Sequence, residues 1–164
     1  MDGWKSMTSR IPGLFVMAVA ALVQGCVGAP DTPRAGTFEW AAYANEAIGI
    51  SLEYPDAYKV EERSGGRDVS FKLGRSHAIR LSLLSAEEGK NRGLWFDRAP
   101  AADVDFAGRP GKRYEYIHGD GPFGSPVLSF VIPHRGRWLA LEFRTMNTDL
   151  DAVQRRILES CRLE

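Results

Sequence analysis

The sequence predicts an α+β fold, an antiparallel β-sheet meander covered by a C-terminal amphipathic helix. Two patterns lead there. From residue 38 onward apolar side chains recur mainly at every second position, the period at which a strand shows one face. Near the end the period lengthens, and Leu150, Val153, Ile157, Leu158 and Cys161 return on one side of a helix. A run of strands followed by one amphipathic helix belongs to the α+β class. The 164 residues suffice for one domain with one core.

The elements follow in order. Phe38, Trp40 and Ala42 alternate with Glu39, Ala41 and Tyr43 until Asn45-Glu46 interrupts. Ile50, Leu52 and Tyr54 share a face opposite Ser51 and Glu53, and Pro55-Asp56 ends that strand. Tyr58 and Val60 open a third strand, which Ser64-Gly65-Gly66 turns back into Val69, Phe71 and Leu73. Ile79, Leu81 and Leu83 form the next. Residues 108–111 read as a turn, and residues 114–117 as another strand. The longest pair spans residues 127–133 and 138–145, joined through His134-Arg135-Gly136-Arg137. In its second strand Leu139, Leu141 and Phe143 face one way, and Trp138, Ala140, Glu142 and Arg144 the other. Thr148 stands three residues before Asp151, the spacing of a capping box at the start of the helix. Arg155, Arg156 and Arg162 lie toward its end, where the helix dipole favours cations.

The N-terminal segment is of a different kind. Lys5 and Arg10 precede an unbroken apolar run of ten residues, 14–23. A bilayer-spanning helix needs roughly 20 apolar residues, whereas a signal-peptide core needs about 7–15. Leu22-Val23-Gln24-Gly25-Cys26 follows, and it resembles the lipobox of bacterial lipoproteins: an aliphatic residue three before the cysteine and a small one just before it. Gln24 departs from the pattern, since a small residue is commoner there. The resemblance implies a diacylglyceryl group on the Cys26 thiol, cleavage after Gly25 and acylation of the new amine. Ordinary cleavage after Ala29 is the rival, and Pro30 beyond that cut opposes it. The expected organisation is a lipoprotein signal peptide over 1–25, a lipidated Cys26 with a flexible tether over 26–37, and one α+β domain over 38–164. The tether, rich in proline and glycine, spans roughly 35–40 Å when extended. By the same resemblance Val27, where aspartate retains enterobacterial lipoproteins at the inner membrane, points to the periplasmic face of the outer membrane.

A second resemblance covers residues 38–164. Gly49-Ile50-Ser51-Leu52-Glu53-Tyr54-Pro55-Asp56-Ala57-Tyr58 resembles an early motif of the PsbP-like fold, a glycine, an alternating strand, Tyr-Pro and then an aromatic. Ile157-Leu158-Glu159-Ser160-Cys161-Arg162-Leu163 resembles its closing helix, with Cys161 where phenylalanine is common. Tyr58 stands where tryptophan is common. The resemblance implies an antiparallel sheet flanked by helices and an accessory role, like that of extrinsic photosystem proteins that assist assembly or ion retention. It brings no shared catalytic set, so no active-site residue is carried over.

The chemistry of the chain is sparse. Lysine and arginine number 21, as do aspartate and glutamate, and loss of residues 1–25 leaves the domain nearly neutral. Nothing steers it toward nucleic acid. Gly119-Asp120-Gly121-Pro122-Phe123-Gly124 spells a dinucleotide fingerprint, but a strand rather than a helix follows, so it reads as a glycine-rich hairpin loop. His77, His118 and His134 lie far apart and read as independent. Ser125 lacks the nucleophile-elbow context, Ser160 has no base near it in sequence, and Cys161 sits on the apolar stripe as a core residue. No catalytic residue and no cofactor is expected. Asp103 and Asp105 project to one side of an extended segment and, with Asp120 joining them in space, form a candidate for Ca²⁺. Trp95 and Phe96, with Arg98 beside them in the long 86–102 connection, are the candidate partner contact, because aromatics with arginine are favoured at binding hot spots. The expectation is a lipid-anchored, non-enzymatic binding or accessory module with a protein partner in the cell envelope. A small-ligand or metal-ion carrier is the alternative, and a hydrolase whose site assembles only in the fold comes after it.

Overall fold

The computed structural model describes residues 38–74, 77–91, 97–119, 124–145 and 149–164. Cys26, Trp95, Phe96, Asp120 and Thr148 lie outside the described residues. The described residues form two antiparallel sheets and two helices.

The small sheet begins where the sequence alternation begins. β1 (Trp40–Asn45) pairs antiparallel with β2 (Ile50–Pro55), from Trp40 opposite Pro55 to Asn45 opposite Ile50. The polar break at Asn45 has a specific task. Its Oδ1 accepts the Ile48 N–H at 2.8 Å and its backbone carbonyl accepts the Gly49 N–H at 2.7 Å, which closes the turn.

The large sheet contains two meanders. The first is β3 (Lys59–Arg63), β4 (Asp68–Leu73) and β5 (His77–Leu84). A short helix, α1 (Ala86–Asn91), follows. The second meander is β6 (Ala102–Phe106), β7 (Arg109–His118), β8 (Ser125–His134) and β9 (Arg137–Arg144). Within the sheet the order is β3-β4-β5-β9-β8-β7-β6, so the single meander expected from the sequence is corrected to two, joined where β9 lies beside β5. The physical reason lies in strand chemistry. β5, β8 and β9 are the most apolar and take the centre, while β3 is charged at every position but Val60, β6 carries charges at alternate positions, and both take the edges, where charge discourages further strand addition.

The turn between β6 and β7 is tighter than the reading of 108–111, being made by Ala107 and Gly108, both at positive φ. Gly111 already lies within β7. A Cβ there would stand 2.6 Å from the Val131 carbonyl oxygen, so β7 and β8 approach through a bare backbone.

The last helix, α2 (Ala152–Ser160), opens three residues later than the Thr148–Asp151 spacing predicts. Asp151 is the N-cap: its Oδ1 accepts the Gln154 N–H at 2.8 Å, and Gln154 Oε1 accepts the Asp151 N–H at 3.2 Å. The chain then leaves the helix at Cys161 and adds β10 (Arg162–Leu163) to the far side of β2.

One apolar cluster holds these parts together. From the large sheet it takes Phe71, Leu81, Phe130, Leu141 and Phe143, and from the small sheet Ile50 and Leu52. Val153 and Ile157 of α2 join it, and α2 packs against β2. Each large apolar side chain buried this way is worth about 1.5–3 kcal/mol, while an exposed ion pair is worth at most about 1 kcal/mol. The inner face of the large sheet therefore supplies most of the stability. Its outer face is left to other uses. Among the described residues no helix is long and apolar enough to cross a membrane.

Candidate functional site

The outer face of the large sheet combines polar positions with a small apolar cluster of Leu84, Tyr116, Val127, Val131 and Ala140, and the strand register arranges it in rows. One row runs Glu61, Ser70, Arg80, Glu142, Ser129, Tyr114 across β3, β4, β5, β9, β8 and β7. A neighbouring row places Arg63 opposite Asp68, and another places Arg144 opposite Val127 and Val127 opposite Tyr116. Between these rows lies an open cavity of about 220 Å³, walled by Arg63, Asp68, Lys72, Arg80, Arg144 and His118, with Tyr116 and Glu142 also lining it.

Its two carboxylates are engaged within the protein. Asp68 takes both forks of Arg80, with Nε to Oδ1 at 2.8 Å and Nη2 to Oδ2 at 2.7 Å. The hydrogen bond to Asp68 raises the Arg80 pKa above its ordinary value against the effect of burial. Glu142 accepts a short hydrogen bond from the Tyr116 hydroxyl. Burial raises the Tyr116 pKa strongly, and the charge of Glu142 acts the same way. Glu61 at the rim answers three cations, with Lys72 at 2.7 Å, Arg63 at 3.4 Å and Lys59 at 3.6 Å. The Lys72 hydrogen bond leads the lowering of its pKa. His118 is held below its ordinary pKa by burial and then by the charges of Arg144 and Arg80. The exposed Arg144 guanidinium makes no ion pair among the described residues.

The residues singled out by sequence take varied places. The Arg98 guanidinium sits 5.0 Å from the centre of the Tyr116 ring, which brings this candidate contact to the outer face beside the cavity. Its companions Trp95 and Phe96, and the lipidation residue Cys26, fall outside the described residues. Asp103 pairs with Lys112, and Asp105 Oδ1 accepts the Gly108 N–H at 3.0 Å in the β6–β7 turn. Those two aspartates thus serve an ion pair and a turn. His134 is buried and its Nε2 meets the Ile48 carbonyl at 2.8 Å, which makes it a structural tie between the sheets. Cys161 is buried in the core with its thiol pKa pushed up to about 12 by burial. β7 and β8 pair with His118 opposite Ser125, while residues 120–123 of the glycine-rich stretch lie outside the described residues.

Neither a family model nor a curated protein matches the sequence. Solved structures do match. The solution structure of cyanobacterial PsbP (CyanoP) from Synechocystis sp. PCC 6803 aligns with a TM-score of 0.54 at 16% identity, over 84% of this chain and 98% of that one. The domain is PsbP-like in fold. A crystal structure from Bacteroides thetaiotaomicron VPI-5482 aligns with a TM-score of 0.55 at 12% identity, over 75% of this chain and 48% of the other. At such identities the likeness speaks to the PsbP-like architecture alone.

The cavity residues were not singled out by sequence. Lys72, Arg80 and Arg144 occupy the ordinary polar positions of alternating strands, and only the neighbouring of β5 and β9 brings them together. The available signal was weak: three outward cations on strands whose inward positions are mainly apolar.

Proposed function

We propose that this chain is a lipid-anchored, non-enzymatic binding module of the bacterial cell envelope, working through the outer face of its large sheet. In this reading residues 1–25 are removed, Cys26 carries the lipid, and the 26–37 tether holds the domain, its sheet capped by α2, off the periplasmic face of the outer membrane. Two or three acyl chains on one residue hold far more firmly than a single marginal one, since each buried CH₂ is worth about 0.8 kcal/mol.

The observation that carries the binding role is the one-sidedness of the sheet. One face is sealed by the core, while the other keeps an open cavity lined with charge. Its carboxylates are already bonded to Arg80 and Tyr116, which favours recognition over acid–base chemistry. Arg98 over Tyr116 extends the same surface, so a protein partner and a small ligand would meet on one face. The cavity supports the small-ligand reading as the second choice.

The test joins fractionation to crosslinking. Wild type should reside in the membrane, begin at Cys26 and carry added acyl mass, and Cys26→Ala should lose that mass. A photo-crosslinking residue at position 98 should trap one discrete partner, and the same residue at position 155 on α2 should not. A soluble, lipid-free wild type would overturn the anchor. Identical crosslinking at both positions would overturn the assigned face.

A further inference from the structure

We propose that the outer-face cavity binds a phosphate group, an assignment that rests on the binding-module reading and gives its ligand a chemical class. The charge balance is the first argument. Asp68 cancels Arg80, and the buried Glu142, which accepts from the neutral Tyr116 hydroxyl, keeps its negative charge in the wall. Glu61 alone answers Lys59, Arg63 and Lys72, and Arg144 has no ion-pair partner among the described residues. Among the described residues the cations Lys59, Arg63, Lys72, Arg80 and Arg144 thus outnumber Glu61, Asp68 and Glu142 at this cavity, in a domain that is close to neutral as a whole.

Direction is the second argument. Arg63, Lys72 and Arg144 reach the cavity from β3, β4 and β9, three different strands. A carboxylate offers two oxygens in one plane, while a phosphate monoester offers three strong acceptors and a charge of about −1.5 to −2. Guanidinium forks and an ammonium arriving from several sides suit the second. Size is the third argument. The cavity of about 220 Å³ is smaller than the roughly 300–1,000 Å³ of drug-sized pockets. It admits the phosphate and a few attached atoms, as in a phospholipid headgroup or a small free phosphate.

The experiment is calorimetric titration of the purified full chain, in non-ionic detergent, with inorganic phosphate and with water-soluble dihexanoyl phosphatidic acid. Saturable binding of at least one probe is expected. Arg144→Gln and Lys72→Gln should each weaken it about tenfold, while Arg155→Gln on α2 leaves it unchanged. Preference for the phosphatidic acid by about tenfold or more would identify a lipid headgroup, and equal or tighter binding of inorganic phosphate a soluble source. Thermal melts of the variants show that each is folded. No saturation by either probe below about 10 mM, or wild-type affinity in a folded Arg144→Gln, overturns the proposal. A protein that is membrane-anchored yet binds no phosphate would defeat this assignment alone. A protein that is soluble yet binds phosphate would defeat only the anchor.

Discussion

The guanidinium of Arg135 fills the space beside Gly49: a Cβ at residue 49 would lie 2.3 Å from Arg135 Cζ. Gly49 stands at φ +77°, where side-chain-bearing residues are strained. Arg135, in the turn between β8 and β9, donates Nη1 to the Glu46 carbonyl at 2.8 Å. The turn of the small sheet is thereby tied to a hairpin of the large one. Gly49→Ala should cost about 2 kcal/mol, mostly from left-handed strain of about 1–2 kcal/mol, with the rest from displacing Arg135. Urea denaturation measures this. A loss under about 0.5 kcal/mol would show that the backbone relaxes freely and that the tie is weak.

Gly49 also marks what the sequence could convey. It opens the stretch 49–58 that resembles a PsbP-like motif, and its positive φ explains why a glycine suits that place in this chain. The strands were legible because Ile50 and Leu52, or Leu139, Leu141 and Phe143, enforce a period of two. The single helical turn and a half of α1 gives no period to read, although Ser85 and Glu88 spell a capping box, with hydrogen bonds of 2.7 and 3.1 Å. The helix start slipped from Thr148 to Asp151 because both residues cap well and only the Gln154 contact decides between them. The neighbouring of β5 and β9 was not legible, since the apolar face of β9 fits several partners equally. The cavity was hidden with it. Local pattern specifies which face a residue takes, while the row it joins depends on strand order.

The bidentate pair of Asp68 and Arg80 is the most enclosed ion pair of the outer face, with the Asp68 side chain 8% exposed. Asp68→Asn would leave a half-buried guanidinium without its counter-charge. Arg80 is about a third exposed, and water there softens the loss. A destabilisation of about 2 kcal/mol is expected rather than the full 3–5 kcal/mol of a sealed pair. Adding Arg80→Gln should recover part of it in a double-mutant cycle. If the losses of Asp68→Asn and Arg80→Gln simply add in the double variant, the pair is not coupled.

Cys161 is fully buried behind α2, and burial pushes its pKa up to about 12. Thiolate is the reactive form, so the folded protein should resist iodoacetamide at about pH 8 and react promptly in denaturant. Mass spectrometry reads the adduct. Rapid labelling without denaturant would show that the C-terminal end of α2 opens locally.

The pH dependence turns on His134. Burial lowers its pKa from 6.5, and the charges of Arg135 and Arg109 add to this against the Ile48 carbonyl. With Nε2 at that carbonyl, the other ring nitrogen is buried with no hydrogen bond among the described residues, and the backbone of Ile48 and Gly49 only partly offsets the cost of burying the cation. The unfolded chain takes up a proton near pH 6.5, and the folded chain does so only at lower pH. Stability from this group is therefore complete above 6.5 and is lost as pH falls through the folded value. His118 shifts the same way, while Glu61 and Glu88 are lowered from 4.5 and act at more acid pH. Between about pH 7.5 and about pH 5 the urea midpoint of wild type should fall, and that of His134→Gln should fall less. If both fall equally, His134 titrates as freely in the folded protein as in the unfolded chain, and its tie to Ile48 does not exclude the cation.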